Sequence, residues 1–149
     1  MSYRAQENNM RRLAGLLSHD LGYISGAREG GPNGDKKTFL NVGKAFLRTL
    51  SKDLSLHDAI VTANPGGIAV SGECCLNGMW ENGGIHICIH RPCFMGENVL
   101  LYRTIRSLKD HKGGHNNYIC CRDLDRMSYA ELLECILSLR KAPNDERAA

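Results

Sequence analysis

The sequence predicts an α+β fold: an antiparallel meander sheet of about five strands with two or three helices packed on one face. Three observations predict it. Apolar residues recur at helical spacing in two segments, 37–54 and 128–141, on either side of the middle of the chain. Between them, residues 68–80 and 85–89 alternate apolar and polar around Asn82-Gly83, a dipeptide suited to a tight reversal. The remaining β-forming runs follow one another with short loops, which join antiparallel neighbours rather than parallel ones.

Each element has its own local reason. Residues 2–17 can form a short helix that aligns Met10, Leu13, Leu16 and Leu17. The breaker stretch SGAREGGPNGD at 25–35 follows, and its glycines and proline oppose regular structure. Residues 1–36 therefore read as a flexible or partly helical arm, 37–142 as one α+β domain and 143–149 as a disordered tail. Phe39, Leu40, Phe46, Leu47, Leu50 and Leu54 mark the core face of a helix, with Asp35 or Thr38 as its N-cap. Gly43 weakens that helix by about 1 kcal/mol relative to alanine, which hints at close packing against a neighbour.

Ala59–Ala63 reads as a short strand stopped by Asn64-Pro65-Gly66-Gly67. Next comes the hairpin. A two-residue turn at Asn82-Gly83 pairs Trp80 with Ile85, Gly78 with Ile87 and Leu76 with Ile89, so that one face is apolar throughout. Asn98–Arg106 and Tyr118–Cys121 supply two more strands. Ser128-Tyr129-Ala130-Glu131 has the form of a capping box and opens a helix that ends near Lys141, before Pro143.

Composition narrows the class. Hydrophobic residues at 42% and charged residues at 23% suit a folded chain rather than a disordered one. The start lacks the apolar core of a secretory signal, and no run approaches the roughly 18 apolar residues of a membrane span. Seven cysteines occur without C-x-x-C or zinc-finger spacing, which favours free thiols, a reducing compartment and a cytoplasmic location without membrane contact. The net charge is +3, and residues 99–122 hold five cations against Asp110 alone. The excess positive charge is therefore concentrated in one stretch.

Two constellations can carry chemistry. The register that turns the isoleucines inward puts Glu73, Cys75, Asn77 and Met79 on the opposite face, beside His86, Cys88 and His90. In that register Cys75 lies opposite His90. Thiolate and imidazole are zinc ligands, so Cys75, His86, Cys88 and His90 form a candidate zinc site or a cysteine-dependent catalytic face. The plainer alternative is a thiol-rich sheet surface with no cofactor. The second constellation is the basic loop with its flanks: Arg103, Arg106, Lys109, His111, Lys112 and His115 are candidate contacts for an acidic protein or nucleic acid. No phosphate-binding Walker loop and no paired carboxylates of the hydrolase kind are present, and no catalytic residue is assigned.

GIAVSGE at 67–73, GMWENGGIHICI at 78–89, LLYRTIR at 100–106 and KDHKGGHNN at 109–117, with KTFLNVGKAFLRTL at 37–50, resemble small accessory proteins of bacterial plasmids, integrated elements and phages. The resemblance covers about two thirds of the chain and rests on hydrophobic and glycine positions, so it carries no functional residue across. It implies a mobile-element context. The expectation is then a non-enzymatic binding protein, such as an inhibitor of a host nucleoprotein defence complex of CRISPR type. A zinc-binding or cysteine-dependent enzyme and a direct DNA- or RNA-binding module are the alternatives.

Overall fold

Apolar residues at every second strand position and along one stripe of each helix assemble the architecture seen in the computed structural model, which describes residues 3–18, 35–66, 72–91 and 97–140. The elements run α1 (Arg4–Leu17), α2 (Asp35–Asp53), β1 (His57–Asn64), β2 (Glu73–Trp80), β3 (Gly83–His90), β4 (Asn98–Ile105), β5 (Asn117–Cys120), α3 (Cys121–Arg126) and α4 (Tyr129–Leu137). The strands form one antiparallel sheet in the order β1-β2-β3-β4-β5, the meander expected from the short connections. Leu76, Ile85, Ile87, Ile89, Leu100 and Ile119 turn to the helical side. There they meet Met10, Leu13, Phe39, Phe46, Leu50 and Tyr129 in a common core.

The helix at the start of the chain is more than an arm. Met10, Leu13 and Leu17 are fully buried in that core. Gln6 Nε2 donates to the Phe46 carbonyl of α2 at 3.1 Å, and Arg11 donates to the carbonyls of Leu124 and Met127 at 2.9 and 2.8 Å. The apolar stripe of α1 therefore has its partner within the domain. The breaker stretch 25–34 and the tail 143–149 lie outside the described residues.

The hairpin keeps its predicted faces but not its predicted pairing. Trp80 pairs with Gly83, Gly78 with Ile85, Leu76 with Ile87 and Cys75 with Cys88, so Cys75 does not oppose His90. The reversal falls on Glu81 and Asn82, one residue earlier than expected. Of the turn residues only Gly83 adopts a positive φ, +100°, so the two positive angles of a type I′ turn at Asn82-Gly83 are not used. Each partner moves by two positions, and an even shift leaves every side chain on its own face. Arg140, beyond α4, holds the turn. Its Nη2 donates to both Glu81 carboxylate oxygens at 2.6 and 2.9 Å, and its guanidinium lies 5.8 Å from the Trp80 ring centre.

Other boundaries follow from local bonds. Helix α2 already begins at Asp35, which places Thr38 inside its first turn rather than at its N-cap. Gly43 is required by packing, because a Cβ there would sit 2.5 Å from Cys74 Sγ on β2. Helix α3 was not anticipated. Its N-cap is Cys120, whose sulfur accepts from the Asp123 amide at 3.4 Å, so Cys121 is helical rather than in a strand. The capping box of Ser128 and Glu131 opens α4, which ends at Leu137, short of Lys141. Among the described residues no helix is long and apolar enough to cross a membrane.

Candidate metal centre

Strand alternation sends Glu73, Cys75 and Asn77 of β2, with His86, Cys88 and His90 of β3, to the face turned away from the helices. The observed register then groups them. Cys75 faces Cys88 with the two Sγ atoms 3.2 Å apart, and Asn77 faces His86. The ligand atoms of Cys75, His86 and Cys88 all lie within 4.8 Å of one another, the one such group of metal-ligating side chains among the described residues. His90 is not part of it: it pairs with Glu73 at the far end of the ladder. Cys93 lies outside the described residues.

The surroundings favour the ligand form of His86 and Cys75 and oppose it at Cys88, whose proton a metal must displace. His86 Nδ1 lies 2.7 Å from Asn77 Oδ1, a contact that suits the neutral tautomer with its proton on Nδ1 and leaves Nε2 as the nitrogen with a free lone pair. Burial, helped by the nearby His111 and Arg103, lowers the His86 pKa and keeps the ring neutral, the form a metal requires. The hydrogen bond with Cys88 lowers the pKa of Cys75. Cys88 moves the other way, pushed well up by that same bond and by its burial. Cys88 is 6% exposed, whereas Cys75 and His86 are half-buried. Cys88 Sγ also donates to Glu73 Oε2 at 3.4 Å.

The basic stretch is divided by the structure. Arg103 faces His86 across the β3–β4 ladder and is spent internally, Nη1 donating to Asn116 Oδ1 and Nη2 to the Gly114 carbonyl, both at 2.9 Å. Those bonds hold the 106–116 loop against the sheet, where the His111 ring centre lies 5.1 Å from that of His86. Arg106, Lys109, Lys112 and His115 are exposed, and Arg106 is 4.0 Å from Asp110. His111 is exposed as well, but its ring contact places it beside the thiol–imidazole face.

Sequence reasoning placed Cys75, His86 and Cys88 on one face but missed the roles of Asn77, Glu73 and His111. The pairing would have revealed Asn77 had the turn been set at Glu81-Asn82. The contact of His111 with His86 has no local signal, since it depends on a loop folding back. No protein-family model, curated protein or solved structure matches the chain.

Proposed function

We propose that this protein is a metal-binding module that takes zinc, or another soft first-row or monovalent copper ion, through Cys75, His86 and Cys88. The convergence of the three ligand atoms within 4.8 Å carries the reading. Two thiolates balance the charge of a divalent zinc ion, and a neutral imidazole with its Nδ1 proton bonded to an amide oxygen is the usual partner. Three protein ligands leave one of four tetrahedral positions for water, a small molecule or a residue of a partner. Docking of an acidic or nucleoprotein partner on the exposed Arg106, Lys109 and Lys112 is a second reading, drawn from their shared loop. It has less support, because Arg103 is consumed inside the fold.

Elemental analysis of protein purified without chelator is expected to show about one zinc per chain. Replacement of Cys75 or Cys88 by serine is expected to weaken the thiolate-to-metal charge-transfer band of the cobalt-substituted protein, and replacement of both to abolish it. Asn77→Ala weakens affinity by about 10- to 100-fold, as loss of an orienting partner does, while His90→Ala leaves affinity unchanged. A wild-type protein with neither zinc nor a cobalt charge-transfer band would refute the proposal.

A further inference from the structure

Cys75 and Cys88 are closer than metal ligation demands. They are directly opposed across the β2–β3 ladder, with Sγ atoms 3.2 Å apart. Opposed residues of antiparallel strands have Cα atoms about 4.5–5.5 Å apart, inside the roughly 4.4–6.8 Å that a disulfide bridges. A bond between these sulfurs therefore needs no displacement of the strands. The two thiols are also unequal. Cys75 is half-buried on the face away from the helices, whereas Cys88 is 6% exposed and hydrogen-bonded to Glu73 Oε2 at 3.4 Å. An oxidant arriving from solvent meets Cys75 first, and the thiol behind it already has a carboxylate in reach of its proton.

We propose that Cys75 and Cys88 are a reversible dithiol–disulfide pair oxidised by hydroperoxides, with Glu73 as the proton acceptor for Cys88. Cys75 sulfur attacks the terminal peroxide oxygen and the O–O bond breaks. The departing alkoxide or hydroxide takes up the proton lost by the Cys75 thiol, and Cys75 becomes a sulfenic acid. Cys88 sulfur then attacks Cys75 sulfur, so that the S–S bond forms as the S–O bond breaks. Glu73 accepts the Cys88 proton and returns it to the leaving hydroxide, which departs as water. Two thiols lose two electrons to give one disulfide, and the peroxide gains them to give an alcohol and water. A small dithiol reverses the change by exchange. The disulfide rests on the geometry of the two cysteines alone. Its consequence, release of the metal when both thiolates are consumed, rests on the metal-binding reading above.

The test uses the full chain, treated with chelator, exposed to one equivalent of hydrogen peroxide and then alkylated. Cleavage after Glu73 and Glu81 separates the peptide holding Cys74 and Cys75 from the one holding Cys88 and Cys93. Non-reducing mass spectrometry is expected to show these peptides joined through Cys75 and Cys88, with the link removed by dithiothreitol and Cys135 alkylated throughout. Glu73→Gln is expected to slow closure by roughly 100-fold without slowing the first oxidation, in line with loss of a general base. A Cys75 sulfenic or sulfinic acid beside an alkylated Cys88, links to other cysteines, or closure at an unchanged rate in Glu73→Gln would overturn the proposal. Peroxide added to zinc-loaded protein is expected to release the metal to a chromophoric chelator in step with the cross-link. A cross-link in a chain that never holds zinc defeats the metal reading alone, and zinc binding without a cross-link defeats this one alone.

Discussion

Three of the cysteines on β2 and β3 show how one atom type acquires different chemistry from its surroundings. Cys74 and Cys75 are adjacent, yet alternation sends Cys74 into the core with no exposure and Cys75 to the opposite face. Burial, aided by Cys75, pushes the Cys74 thiol up to about 12. Cys74 is therefore expected to resist iodoacetamide near pH 8 in the folded protein and to react once urea unfolds it, while Cys75 reacts in both states. Peptide mass spectrometry after timed alkylation measures this. The linkage has a definite sign. Cys74 stays protonated in the fold above the ordinary thiol value of 9.0, so its contribution to stability is complete below that pH and is lost as pH rises toward about 12. The alternation was legible from the sequence; the sulfur that Cys75 meets was not, because that depends on where the hairpin turns.

Among the elements, α2 and β2 meet at a contact too close to admit a Cβ on the helix. Replacing a helical glycine by alanine ordinarily stabilises by about 1 kcal/mol. At Gly43 the added methyl would approach Cys74 Sγ to 2.5 Å, inside any normal contact. Gly43→Ala is expected to destabilise the protein by about 1–3 kcal/mol, the usual cost of overpacking. Adding Cys74→Ala should return part of that loss, a coupling that urea denaturation of the four variants in a double-mutant cycle would detect. The sequence announced this contact only as a glycine out of place in a helix. It announced the start of α4 much better, because a capping box is complete within four residues. The short helix α3 escaped notice, since its cap is a cysteine sulfur rather than an oxygen.

At the scale of the whole molecule, α1 decides how the core is closed. Met10, Leu13 and Leu17 are fully buried, and each such side chain contributes about 1.5–3 kcal/mol. Three of them together rival the roughly 5–15 kcal/mol that keeps a domain folded. Deletion of residues 1–18 is expected to abolish cooperative urea unfolding, followed by tryptophan fluorescence of Trp80, whose indole Nε1 donates to the Leu54 carbonyl at 2.8 Å. A truncated chain that still unfolds cooperatively would show that α1 is dispensable. The inward isoleucines and the outward thiols and imidazoles could be read from periodicity, which each segment carries in its own residues, and the order of strands from the short loops between them. The partner of each outward residue could not. It depends on a turn at Glu81-Asn82 anchored by Arg140, 59 positions along the chain, and on a loop that lays His111 against His86. Local pattern settles which face a side chain takes, because a strand has only two. Long-range burial and ion pairing settle what it finds there, because residues distant in sequence become neighbours only when the chain closes on itself.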